Sequence, residues 1–216
     1  MPEPSRRKLL SLAAMAPLAG GLLAHGIAGA DAAAPVSPRD KIRNRYLPNV
    51  VLRTQDNQPV RFYDDLVKDK IVTINFFYAK CEEICPVVIA NLARVQKLLG
   101  DRVGREIFMS SISLRPETDT PEVLKDFSKM HGAGPGWSFL TGDRSDIELL
   151  RRSLGFTNPD ANLDKDITQH IGNVRYGNEP LMLWAACPGL ARPEWIAESI
   201  SWMIRPEAKA AAAAKG

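Results

Sequence analysis

The sequence is poor in most features that mark specialised classes of protein. Only three of its 216 residues are cysteine and three are histidine, and aromatics make up 7%. The formal net charge is +3, of which Arg6, Arg7 and Lys8 against Glu3 supply +2, leaving +1 beyond residue 30. A near-neutral chain has no basic surface to neutralise phosphates, and so few aromatics give no platform for stacked bases, which excludes nucleic acid as a partner. No internal repeat is visible. Past the N-terminal thirty residues no apolar run is long enough to cross a membrane. There is no paired-carboxylate site, zinc-ligand spacing or Ser-His-Asp order. The glycines of Gly132-Ala133-Gly134-Pro135-Gly136 lack the Lys-Ser/Thr that completes a phosphate loop. What is present, 45% hydrophobic and 25% charged residues, suffices for one well-filled core.

The first thirty residues have the order of an export signal. A basic start, Ser5-Arg6-Arg7-Lys8, leads into an Ala/Leu stretch from Leu9 to Ile27, and Ala28-Gly29-Ala30 supplies small residues for cleavage after Ala30. Paired arginines followed by leucines point to the twin-arginine route and a periplasmic location. Pro17, Gly20, Gly21 and His25 make this stretch a poor spanning helix. Retained uncleaved, it would be the one membrane contact. Residues 31–48, rich in Ala, Pro and charge, read as a linker, 49–205 as one domain, and 206–216 as a low-complexity tail.

Within the domain, Val50–Thr54 and Pro59–Phe62 flank the turn-rich Gln55-Asp56-Asn57-Gln58 and predict an N-terminal β-hairpin. Ile71–Tyr78 is a continuous apolar run of strand length, suited to a buried central strand. A helix is expected over Pro86–Leu99, stopped by Gly100, and a strand over Ile107–Leu114. Thr120 and Pro121 open a second helix as N-cap and first residue. Trp137–Leu140 reads as a strand, followed by a helix to Leu154 and a polar loop over 157–166. Val174–Tyr176 and Leu181–Trp184 read as strands turning at Gly177-Asn178, and Pro193 starts a last helix. This order predicts an α/β domain of thioredoxin-like type, a central mixed sheet flanked by helices.

Cys81 and Cys85 stand where the central strand gives way to a helix. A helix N-terminus lowers a thiol's pKa, and a strand end is expected to expose it. Glu82 and Glu83, lying between, oppose that lowering. Such a dithiol suits thiol–disulfide exchange, with Cys81 and Cys85 as catalytic residues, or binding of a soft metal ion. A purely structural bridge at this spacing closes so short a loop that it stabilises little. Cys187 makes an odd third cysteine. It reads as a buried small apolar side chain, the alternatives being a resolving thiol or a further sulfur ligand. Met109 reads as core.

The run Phe76-Phe77-Tyr78-Ala79-Lys80-Cys81-Glu82-Glu83-Ile84-Cys85-Pro86 resembles the Sco/SenC family of copper proteins, with its aromatic-rich strand followed by C-x-x-x-C-P. Downstream, Ser111–Leu124 with Asp119-Thr120-Pro121-Glu122 is similar to that family's D-T-P-E segment, and the likeness extends over residues 50–204. The resemblance implies copper held by two thiolates, Cys81 and Cys85, and by an imidazole from a later loop. His170 is the histidine in the matching place; His25 lies in the signal and His131 at a helix end. It also implies copper delivery to a cytochrome c oxidase subunit or another periplasmic copper protein. Gln169 stands where the family commonly has an acidic residue, which leaves Asp164 and Asp166 to orient the imidazole. The rival function is a periplasmic thiol–disulfide reductase with Cys81 as attacking thiol, although such reductases usually place two residues between their cysteines, not three. A peroxidase is a distant third.

Overall fold

A computed structural model describes residues 36–81, 84–165 and 172–204. The elements are α1 (Pro38–Tyr46), β1 (Val51–Thr54), β2 (Pro59–Arg61), a π-helical turn (Phe62–Val67), β3 (Ile71–Phe77), α2 (Ile84–Leu99), β4 (Ile107–Ser113), α3 (Pro121–Met130), β5 (Trp137–Gly142), α4 (Arg144–Ser153), α5 (Ala161–Lys165), β6 (Asn173–Asn178), β7 (Leu183–Pro188) and α6 (Pro193–Ser201). Seven strands form one mixed sheet in the order β2-β1-β5-β4-β3-β6-β7. The inner three, β5, β4 and β3, run parallel, and an antiparallel hairpin flanks them on each side.

β3 sits inside the sheet because both its faces are covered. Val72, Ile74 and Phe76 point into one apolar cluster with Leu52, Phe62, Ile112, Ile147 and Leu150. Phe77 points into the other with Val88, Leu92, Met109, Leu124, Phe139 and Ile200, beneath α2, α3 and α6. The strand period of two separates these sets. On the second face the buried Ser111 hydroxyl donates to Asn75 Oδ1 (2.7 Å) and accepts from Trp137 Nε1 (2.9 Å). Thr120 caps α3 as its sequence predicts, its hydroxyl accepting from the Val123 N–H.

Three expectations change. The segment expected as a linker contains α1, capped by Ser37, whose hydroxyl accepts from the Asp40 N–H at 3.1 Å. The polar loop over 157–166 contains α5. The C-terminal hairpin turns at Glu179–Met182, with Met182 donating to the Glu179 carbonyl, and not at Gly177-Asn178. Gly177 stays in β6 because the Trp184 ring lies over it: a Cβ there would stand 2.5 Å from Trp184 Cε3. Among the described residues no helix is long and apolar enough to cross a membrane.

Candidate metal centre

The chain leaves β3 at Phe77, makes a turn closed by the Cys81 N–H on the Tyr78 carbonyl (3.2 Å), and enters α2 at Ile84. Cys81 therefore ends the turn and Cys85 lies in the first turn of the helix. Both are buried, at 6% and 2% exposure, which corrects the expectation of exposed thiols. Phe77, Tyr78, Val88, Val174 and Cys187 share their apolar cluster. Burial also reverses the expected pKa direction for Cys85. Loss of solvent pushes its thiol well above the ordinary range, and a hydrogen bond shared with Cys81 adds to this. The backbone N–H groups of Tyr78 and Cys85 oppose the shift and do not overcome it. Desolvation here outweighs the helix end, because an N-terminal partial charge is small beside the cost of an anion in apolar surroundings. Glu82 and Glu83 lie outside the described residues.

Tyr78 closes one side of the pair. Its hydroxyl is hydrogen-bonded to the Cys81 side chain, and burial, with that bond, pushes its pKa up to about 12. The Arg115 guanidinium lies 4.4 Å from the centre of the Tyr78 ring, a cation–π contact.

Asp119 fixes the turn itself. This carboxylate is 1% exposed; its Oδ2 accepts from the Ala79 N–H at 3.0 Å and from the Ser113 hydroxyl at 2.5 Å, and its Oδ1 from the Thr118 hydroxyl at 3.3 Å. Ser113 Oγ in turn accepts from the Arg115 N–H at 2.9 Å. The first residue of the D-T-P-E segment thus ties the end of β4 to the cysteine-bearing turn. Sequence reasoning noticed the segment but gave Asp119 no role. The signal was an acidic residue directly before the Thr120-Pro121 helix start.

His170, Gln169 and Asp166 lie outside the described residues. The chain resumes at Gly172 against the start of α2, where an added Cβ would meet Ile84 Cδ1 at 2.8 Å. The Gly172 carbonyl accepts from the Gly189 N–H at 2.7 Å, and Asn91 of α2 donates to the Gly189 and Ala191 carbonyls. Asp164 is already engaged: both its oxygens accept from Arg151 and Oδ1 also from the Asn158 N–H. Among the described residues the carboxylate's partners are Arg151, in an ion pair, and the Asn158 N–H. His131 ends α3 against the Phe127 ring. Ten helical residues, roughly 15 Å at 1.5 Å each, separate it from the Asp119 end of that helix. Met109 is core at 1% exposure, and Cys187, at 3%, has its pKa pushed to about 11 by burial. Among the described residues no three His, Cys, Asp or Glu side chains gather as a metal cluster.

The chain matches the sequence profile of SCO1/SenC proteins over residues 48–205. It is 32% identical over 98 residues to an SCO1 protein homolog of Bacillus subtilis, covering 44% of this chain and 49% of that one. The chain spans about half the length of the curated relatives it matches. Among solved structures, ScoI of Bradyrhizobium japonicum with copper bound superposes with a TM-score of 0.58 at 22% identity, over 71% of this chain and 96% of that one. BsSco, described as a member of the Sco family of cytochrome c oxidase assembly proteins with a disulfide switch, gives a TM-score of 0.58 at 23% identity, over 71% and 90%. The fold is thioredoxin-like, and the chain belongs to the SCO1/SenC family.

Proposed function

We propose that this SCO1/SenC protein carries copper, taking it up through the Cys81 and Cys85 thiolates and the His170 imidazole and passing it to a copper site of a respiratory oxidase. The observation that carries this reading is the hydrogen-bonded pair of buried thiols between β3 and α2. Two sulfurs in contact can bind one ion together, and thiolates select Cu(I) while an added imidazole also suits Cu(II). Gly172, two residues after His170, packs against the first turn of α2 that carries Cys85, which favours His170 as third ligand. The copper-bound Bradyrhizobium japonicum structure and the oxidase-assembly family of BsSco support the cargo and its destination. Export by the twin-arginine route, cleavage after Ala30 and a periplasmic location complete the proposal and rest on the N-terminal sequence.

The test is Cu(II) titration of the reduced protein, read by sulfur-to-copper charge-transfer absorption. The expected result is one equivalent bound, with the band shifted and affinity lowered at least tenfold in His170→Ala. No copper uptake, or parental affinity in His170→Ala, would overturn the ligand assignment. The second reading, a thiol–disulfide reductase acting on a partner's cysteines, draws on the same contact between the thiols. It requires that copper-free protein reduce a partner disulfide rapidly and that Cys81→Ser abolish this.

A further inference from the structure

The C-terminal hairpin carries a second feature on the face of the sheet away from the cysteines. In β6 and β7, Val174, Tyr176 and Cys187 turn towards α2, so Arg175, Gly177 and Trp184 take the opposite face. There Arg175 and Trp184, with Ile42 and Leu47, Leu154 and Met182, line a cavity of about 310 Å³. That volume falls at the small end of the range for small-molecule sites, roughly 300–1,000 Å³.

The cavity holds an uncompensated charge. Arg175 Nε is buried with no hydrogen-bond partner, and among the described residues no carboxylate pairs with the guanidinium. Burial alone acts on it, lowering its pKa, with no acid to raise it. Arg151 shows what a satisfied arginine in this fold looks like: it donates to both oxygens of Asp164, to both of Glu148 and to the Phe156 carbonyl. A guanidinium remains charged at neutral pH even when partly desolvated, so Arg175 is a cation facing apolar walls.

The backbone is cut away to make room for it. Gly155, at φ +73°, would place a Cβ 3.0 Å from Arg175 Nη2, and Gly177 would place one 2.5 Å from Trp184 Cε3. Glycine thus stands at the two points where the guanidinium and the indole lie against main chain.

We infer that this cavity binds a monoanionic amphiphile, a medium-chain aliphatic carboxylate, whose headgroup pairs with Arg175 and whose chain lies against Trp184, Leu154 and Ile42. A planar guanidinium matches a carboxylate with two parallel hydrogen bonds. One cation compensates one negative charge, which disfavours a phosphate dianion. The apolar lining recognises the chain.

The test is calorimetric titration of the full, copper-free, reduced chain with sodium octanoate and, separately, with octan-1-ol. Saturable 1:1 binding of octanoate, at least tenfold tighter than octan-1-ol, is expected. Arg175→Met should bring octanoate down to the level of the alcohol. Ile42→Glu, at a half-exposed helical position lining the same cavity, supplies a carboxylate of its own and should weaken octanoate at least tenfold. Equal affinity for acid and alcohol, no octanoate binding at millimolar concentration, or unchanged affinity in Arg175→Met overturns the inference. If Arg175→Met does not fold, unchanged octanoate affinity in Ile42→Glu overturns it.

Discussion

Asp119→Ala should loosen the cysteine-bearing turn before it loosens the rest of the domain. The carboxylate is the acceptor for the Ala79 N–H and the Ser113 hydroxyl, both on Oδ2, and for the Thr118 hydroxyl on Oδ1. Ser113 is fully buried and Ala79 half-buried, so water does not readily replace what is lost. A hydrogen bond to a charged group is worth about 1.5–3 kcal/mol, and an orphaned buried donor costs about 1–3 kcal/mol. Two such donors put the loss at about 3–5 kcal/mol, with the exposed Thr118 adding little. At about 2–4 °C per kcal/mol for a chain of this size, the melting temperature should fall by roughly 6–20 °C. Asp119→Asn keeps one carbonyl oxygen and should lose about 1–2 kcal/mol. Global stability alone does not distinguish an anchor of the turn from an ordinary core residue. The second assay is therefore alkylation of the cysteines under native conditions, resolved by peptide mass. Cys81 should react at least tenfold faster in Asp119→Ala, and its rate should rise more than that of Cys187, which shares the apolar cluster but sits on β7, outside the turn that Asp119 holds. Stability within about 0.5 kcal/mol of the parent, the level of an ordinary surface change, or an unchanged Cys81 rate would falsify the assignment.

Three further outcomes follow from single contacts. Gly136→Ala should cost at least about 3 kcal/mol or prevent folding, because its Cβ would stand 2.2 Å from Gly104 N at a φ of +81°; urea unfolding measures it. Ser111→Ala removes the partner of both Trp137 Nε1 and Asn75 Oδ1 and should cost about 2–4 kcal/mol, with the Trp137 emission shifted. The Arg151 hydrogen bond holds the Asp164 carboxyl well below the usual range and likewise lowers Glu148. A depressed folded pKa contributes stability above the unfolded value, about 4, and loses it as pH falls through the folded one. Urea midpoints should therefore drop as pH falls below about 4, and Arg151→Met should flatten that acid limb.

Much of the fold could be read from residues close in sequence. The apolar run Ile71–Tyr78 declared a buried strand, observed over Ile71–Phe77, and Thr120-Pro121 a helix start, because each depends on local period or capping. What escaped depends on distant neighbours. α1 has a polar composition that resembles a linker, and its stop at Leu47 makes sense only once Leu47 enters the core with Leu52 and Phe62. Gly177-Asn178 is a good hairpin turn by residue type, yet Trp184 needs the bare glycine beneath its ring and moves the turn to Glu179–Met182. The burial of the thiols was illegible for the same reason. Their apolar surroundings include Val174 and Cys187, about ninety residues or more along the chain.

That burial bears on which chemistry the dithiol serves. The thiolate is both the attacking nucleophile and the metal ligand, so an apolar shell that keeps Cys85 protonated opposes both roles at first. The two differ in what arrives. A partner's disulfide is neutral and brings nothing to compensate an anion forming beside Tyr78 and Val88. A copper ion would bring its own positive charge as the protons leave: two thiolates and a neutral imidazole balance Cu(II), and with Cu(I) they leave one negative charge spread over two sulfurs and the metal, which an apolar shell tolerates better than localised thiolate charge. The surroundings that make Cys85 a reluctant nucleophile are therefore compatible with a cargo site. The same reasoning gives Asp119 its place: its charge is spent on the Ala79 N–H and the Ser113 hydroxyl, so it shapes the turn while its own acceptors are occupied by donors.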